Sequence, residues 1–275
     1  MVDVAVAKST EEAHAALEAV VPRLTALIRS IKRPTAPAVG VWNVGDVAVH
    51  VAHAWERLSA LAGDEATSPI DDVWQLADFT TSLVQGDPER DMHAVARRID
   101  AAAAKFLDML GTSSGEDLSP WLIAGIKVPI QMFACHLLNE SLVHGFDIAR
   151  AERIAWPIDP SHAGVVLMGF IFPVVAKLDP RAMVDQEKAA GVRACYDIRV
   201  RRAGRVFLIF DDGSVSVEPP SSRPVDCHMS ADATALLLVM WARKSQWPAV
   251  LTAQITTWGR KPWLGAKLRT MIRNP

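Results

Sequence analysis

The apolar pattern of this chain changes character at about Pro180, and that change limits the folds open to it. Over roughly the first 175 residues, apolar side chains recur every three or four positions, the repeat of a helix face. Beyond that point, short apolar runs are separated by turns that contain Gly and Asp, which is how strands read. The switch predicts an all-helical domain over residues 1–179 and a small α+β domain over residues 180–275.

Within the helical part, Ser9 with Glu12 makes a capping-box pattern ahead of apolar Ala13, Leu17, Val20, Leu24, Leu27 and Ile31. Pro34 to Gly40 reads as a loop. Asn43 is placed to cap a second helix, with Asp46 in its first turn, and that helix runs to about Leu61. Further helices are expected from Asp71 to Val84, from Pro88 to about Leu110, from Pro129 to Ala151 and from Pro160 to about Leu178, with a loop over Gly111–Ser119. In the second part, strands are expected at Ala194–Val200, Val206–Phe210, Ser214–Glu218, Asp226–Met229 and Ala253–Trp258. Asp211-Asp212-Gly213 supplies a hairpin turn, and helices are expected at Ala233–Lys244 and Trp263–Ile272.

Charge and composition exclude some functions. The formal net charge is −2, so no basic field points to nucleic acid. After Asp232 there is no acidic residue, yet Arg243, Lys244, Arg260, Lys261, Lys267, Arg269 and Arg273 follow, either a solvated face or a place to gather an anion. The longest apolar run, near Ala163–Ala176, is broken by Pro173 and falls short of the ~20 residues that span a bilayer. The opening MVDVAVAKSTEEAH does not have the basic start and apolar core of a signal peptide. These features lead to the expectation of a soluble, cytoplasmic monomer or homodimer with no nucleic-acid or membrane partner. Cys135, Cys195 and Cys227 are widely spaced without a CxxC pair, which reads as buried thiols rather than a disulfide framework or zinc ribbon.

One group of residues carries chemistry. His50 falls within the apolar stripe Val47, Val51, Ala54 and Leu58. Glu140 and His144 lie four residues apart, in line with Phe133 and Leu137, so they present a carboxylate and an imidazole to one point. A buried carboxylate is costly unless it is paired or metal-bound. Two imidazoles and one carboxylate from different helices make a three-ligand site for Zn²⁺ with a coordination position left open, as in catalytic zinc. Taken alone, the Glu140–His144 spacing better suits a hydrogen-bonded pair or surface neighbours than a metal site. Asp147 is placed either to orient His144 or to pair with Arg150, and His53 is an alternative ligand or a partner to one.

The segment Trp42–His50 (WNVGDVAVH) resembles the W-x-V-x-D-x-x-x-H entry helix of the DinB-like metalloenzyme superfamily. The segment Glu140–Ala151 (ESLVHGFDIARA) resembles the E-x-x-x-H-G-x-D-x-A-x-A signature of its mycothiol-dependent maleylpyruvate isomerase branch. The family's metal ligands then fall on His50, Glu140 and His144, while residues 62 to 128 carry no motif. The second domain resembles a sterol-carrier-protein-like fold, and Thr257–Leu264 (TWGRKPWL) resembles that branch's G-R-x-P-W-L ending. The resemblance implies a DinB-like four-helix bundle followed by a sterol-carrier-like domain. It also implies zinc or another divalent metal, mycothiol as a thiol cosubstrate, and an isomerase or S-transferase acting on a small electrophilic, anionic substrate. It makes Arg260 the candidate catalytic residue that holds the substrate's carboxylate. Two other readings stand beside this one. One is a lipid or apolar-ligand binding protein, with Ala233–Trp241 walling its pocket and a structural or vestigial metal site. The other is a metal-dependent hydrolase that uses metal-bound water.

Overall fold

The helices begin where their capping residues stand, and the longest of them is the one that carries the buried polar groups. In the computed structural model, which describes residues 9–113 and 117–274, α1 (Ser9–Arg29) buries Ala13, Leu17, Val20 and Leu24 along one stripe. The expected loop after it contains a small antiparallel hairpin of β1 (Pro37–Val39) and β2 (Trp42–Asn43). α2 (Val44–Ala62) starts at Asn43 as expected. The Asn43 side chain accepts the Asp46 N–H at 2.9 Å, and the Asp46 carboxylate accepts the Asn43 N–H at 3.1 Å.

A single 3₁₀ turn, Val73–Gln75, capped by Asp72, leads into α3 (Leu76–Gly86), so the helix expected from Asp71 starts later. α4 (Met92–Thr112) comes next. A second hairpin of β3 (Leu118–Pro120) and β4 (Lys127–Pro129) then leads into α5 (Ile130–Glu152). Part of the expected Gly111–Ser119 loop, residues 114–116, lies outside the described residues. α1 and α2 each pack against both α4 and α5, around a core that includes Leu17, Trp55, Phe106 and Phe133. α5 is buried nearly all round, so its polar residues His136, Asn139, Glu140, Ser141 and Asp147 are interior groups that need partners.

The chain forms two compact units that divide between Ile158 and Asp159 rather than after residue 179. The helices that begin at Pro160 account for the shift. There α6 (Pro160–Val166), a π turn (Leu167–Ile171) and α7 (Phe172–Lys177) run on continuously, and α6 packs on a helix of the second unit. A Cβ on Gly164 would stand 2.7 Å from the Ala203 side chain, so that packing is close. The π turn sits just before Pro173, which has no N–H to give and crowds the carbonyl one turn back. By length and composition Pro160–Lys177 would pass for a membrane span, but in this fold α7 packs beside a strand.

The second unit is built on a five-stranded sheet. β5 (Arg193–Val200), β6 (Gly204–Asp211) and β7 (Ser214–Glu218) form a meander, β8 (Cys227–Ala231) adds parallel to β5, and β9 (Ile255–Trp258) pairs with β8. The spatial order is β7-β6-β5-β8-β9. α8 (Ala233–Met240) ends before the expected Lys244, because Ala242 turns to a positive φ of 56°. A short α9 (Gln246–Leu251), where no element was expected, precedes β9, and α10 (Leu264–Met271) closes the chain. The register points Ile198, Leu208 and Met229 to one face of the sheet, where with Leu236, Val239 and Leu268 they line an apolar cavity of about 130 Å³. Asp197, Phe207, His228 and Trp258 point to the opposite face. All three cysteines are buried and free, and burial pushes the Cys135 thiol up to about 12.

Candidate metal centre

The capped start of α2 sets His50 on the inner face of the helical unit, and α5 brings Glu140 and His144 to it from across the core. Glu140 Oε2 lies 3.1 Å from His50 Nε2 and 3.4 Å from His144 Nε2. The candidate ligand atoms of the three residues all lie within 4.8 Å of one another. Two ligands on a tetrahedral zinc, each at ~2.1 Å, are about 3.4 Å apart, so the Glu140 distances suit a shared ion. The three side chains are only 11%, 12% and 12% exposed, which leaves the site enclosed but not sealed.

The groups around the triad fix its geometry. Asp147, with a fully buried side chain, lies 3.2 Å from His144 Nδ1. That contact keeps the Nδ1 proton in place and turns Nε2 toward Glu140. Arg150 instead reaches the Ala38 carbonyl at 2.9 Å, which settles the alternative left open for Asp147. The indole of Trp42 lies 4.7 Å from the His50 ring, centroid to centroid, and walls one side. Gly145, beside His144, leaves room for Trp156, since a Cβ there would stand 2.5 Å from the indole. The Trp156 N–H donates to the Leu142 carbonyl at 3.1 Å. The distinctive residues of the two sequence segments thus divide into ligands and residues that shape the space beside them.

The electrostatics point the same way. Burial alone would raise the Glu140 carboxyl, but hydrogen bonds from His136, His144 and His50 hold it well below the usual carboxylate range. Burial also works against a charged His144, yet its bonds to Asp147 and Glu140 outweigh this and lift it to about 9. Burial lowers His50, and the Glu140 hydrogen bond only partly offsets it. Among the described residues no Lys or Arg lies within ion-pair distance of Glu140; its partners are imidazoles and the Asn139 amide. A carboxylate with no fixed cation, facing the Nε2 atoms of two imidazoles that can lose their protons to an incoming ion, is a donor set that fits a divalent metal.

His53 is not part of this group. Its Nε2 lies 2.9 Å from Asp87, in a separate cluster where Arg98 pairs with both Asp87 and Glu56. Arg260 sits in the sheet unit, 64% exposed, with its guanidinium 2.8 Å from Asp226. The sequence reading missed His136. It stands one turn before Glu140 on the same face of α5, with its Nε2 3.5 Å from Glu140 Oε1, and the repeat of four from His136 to Glu140 to His144 was the available signal.

No family model matches the chain, and no curated protein does. Among the solved structures that match it, two crystal structures cover nine-tenths of its length. One is a crystal structure of the mycothiol-dependent maleylpyruvate isomerase, 13% identical, covering 90% of this chain and 92% of that one with a TM-score of 0.52. The other is a histidine-to-alanine mutant of that isomerase, 12% identical over the same coverage, with a TM-score of 0.54. At this identity the likeness is one of fold.

Proposed function

We propose that this protein is a metal-dependent, thiol-using enzyme of the maleylpyruvate isomerase type, with a DinB-like helical unit and a sterol-carrier-like sheet unit. The observation that carries the reading is the convergence of His50, Glu140 and His144 on one enclosed point, in a fold like that of a mycothiol-dependent enzyme. These three residues would hold the metal, with zinc the first candidate for a set of two imidazoles and a carboxylate. When bound, such a metal supplies a thiol with a pKa low enough for the thiolate to persist at neutral pH. The chain's own groups do the rest. Asp147 fixes the His144 tautomer, Trp42 shields the His50 side, and Arg260 is the candidate to hold the carboxylate of a small electrophilic acid through paired N–H donors. The reaction class is mycothiol-dependent isomerisation or S-transfer.

Elemental analysis of the purified wild type beside His144→Ala tests the reading. About one zinc per chain, lost in the variant, supports it, as does turnover of electrophilic acids that needs an added low-molecular-weight thiol. Equal metal in both proteins, or none in either, rejects it. Arg260→Ala is expected to raise KM for the anionic substrate about tenfold or more while leaving metal content unchanged.

A second reading, an apolar-ligand carrier, has one observation in its favour: the cavity of about 130 Å³ on the helix-covered face of the sheet, lined by Ile198, Leu208, Met229, Leu236 and Val239. Organic extraction of the purified protein distinguishes the two. A stoichiometric co-purified lipid without zinc would favour the carrier.

A further inference from the structure

Glu140 uses its two oxygens differently. Oε2 faces the ligand pair, 3.1 Å from His50 Nε2 and 3.4 Å from His144 Nε2. Oε1 faces the other way. The Asn139 amide donates to it at 3.2 Å, and His136 Nε2 lies 3.5 Å from it. Behind His136, the Trp121 indole N–H donates to His136 Nδ1 at 3.3 Å. An indole nitrogen can only donate, so His136 Nδ1 must accept, and the proton of the neutral ring then sits on Nε2, the atom turned toward Glu140. Trp121, His136 and Asn139 are 4%, 6% and 2% exposed, so little water competes for these contacts.

We infer that Trp121, His136 and Asn139 act as positioning residues. They commit Glu140 Oε1 to internal hydrogen bonds and leave Oε2 as the single ligand atom offered to the metal. The inference rests on the metal-site reading above and adds how the carboxylate binds. A carboxylate with both oxygens open can swing to bidentate contact and occupy a further coordination position. One whose second oxygen is held cannot, and the position it leaves open is the one a thiol or substrate needs. Trp121 lies outside α5, in the segment between β3 and β4. The hairpin therefore acts on the ligand through His136 without touching the ion.

The test uses the full chain, stripped with chelator and titrated with Co²⁺. Affinity is read by chelator competition and coordination from the visible d–d absorption. Trp121→Phe keeps the ring and removes the donor, and His136→Leu removes the link to Oε1. His136→Gln keeps an N–H at the position of the imidazole Nε2. Outer contacts of this kind are worth about 10- to 100-fold in metal affinity. His136→Leu and Trp121→Phe are expected to bind Co²⁺ more weakly by that factor, with weaker d–d bands as the coordination number rises. His136→Gln is expected to restore both affinity and spectrum. Loss of affinity with an unchanged spectrum, no rescue by His136→Gln, or wild-type behaviour in His136→Leu overturns the inference while leaving the metal site standing. Wild type that binds no Co²⁺ overturns both.

Discussion

The two units each bury a carboxylate against histidine, and they neutralise it in different ways. In the sheet unit Asp197 takes two hydrogen bonds from Arg205, at 2.6 and 2.9 Å, and lies 2.6 Å from His228 Nδ1. In the helical unit Glu140 is contacted by three imidazoles and an amide. Both carboxylates stand below their ordinary range, because hydrogen bonds overcome the burial that would raise them. Asp197 lies beneath Arg205, whose side chain is 41% exposed, whereas Glu140 lies on a helix buried nearly all round. The guanidinium gives Asp197 a permanent charge that comes with the fold. Glu140 has three imidazoles and a neutral amide but no fixed cation, so its compensating charge is a proton on His144 or, in the proposed function, a metal. The fixed cation is what separates the ion pair of the sheet unit from the proposed set of ligands in the helical unit.

The strongest way to break this comparison is to neutralise each carboxylate in turn. Glu140→Gln removes a ligand and is expected to weaken zinc binding by about a thousandfold or more, which empties the site on purification. Asp197→Asn removes the buried charge of the other cluster and is expected to leave one zinc per chain, with only a loss of stability in the sheet unit. Elemental analysis of the two variants reads both effects. If Asp197→Asn also lost its zinc, the two clusters would not be independent and the distinction would fall.

The grouping of His50, Glu140 and His144 was suggested in the sequence by two short motifs and their resemblance to a family, and local geometry explains why the motifs can be read. The four-residue step from Glu140 to His144 fixes a shared helix face, and Asn43 with Asp46 fixes where α2 starts and so where His50 points. The strands around Asp211-Asp212-Gly213 were legible for the same reason, since a turn and two alternating runs identify a hairpin. What the sequence hid depends on partners far along the chain. His136 sits on the repeat of the triad, but its meaning comes from Trp121, on a segment whose neighbouring strands are three residues long and have no period to read. The helix after Pro160 was legible as a helix, but nothing local says that it packs in the sheet unit, which is why the division between units moved to Ile158. Arg260 was recognisable as an arginine in a short motif, while its pairing with Asp226 is a tertiary fact.

A pH series sharpens the comparison in the metal-free protein. His144 is lifted from about 6.5 unfolded to about 9 folded, so its contribution is fully present below pH ~6.5 and is lost as pH rises through about 9. For a coupled buried group the expected size is about 1–3 kcal/mol. Asp197 and Glu140 are both depressed, so the stability they give is present above the unfolded carboxylate value of ~4 and is lost as pH falls through their folded values. Acid therefore weakens both units, while mild alkali weakens only the helical one. Chemical denaturation with chelator present, followed by a probe in each unit, should show the helical transition falling between pH 6.5 and 9 and the sheet transition staying level. Saturating zinc takes the His144 lone pair and should flatten the alkaline limb. A helical transition that stays level without metal would mean that His144 does not carry the compensating proton.

The smallest effect tests whether ligands and scaffold are separable within one motif. In WNVGDVAVH only His50 is a candidate ligand, while Asn43 and Asp46 close the capping box that starts α2. Asn43→Ala removes one reciprocal hydrogen bond and is expected to lower the stability of the helical unit by about 1 kcal/mol, with the Arg205–Asp197 pair of the sheet unit unaffected. His50 lies almost two turns further along a buried helix, where packing of Val47, Val51 and Leu58 holds the register even if the first turn frays. Zinc content should therefore stay at one per chain in Asn43→Ala while the helical transition shifts to lower denaturant. A variant that loses zinc along with its cap would show that His50 is positioned by the helix start rather than by core packing. The helical site would then be a property of the whole motif, unlike the Asp197 cluster, whose partners are set by the pairing of β5 with β6 and β8.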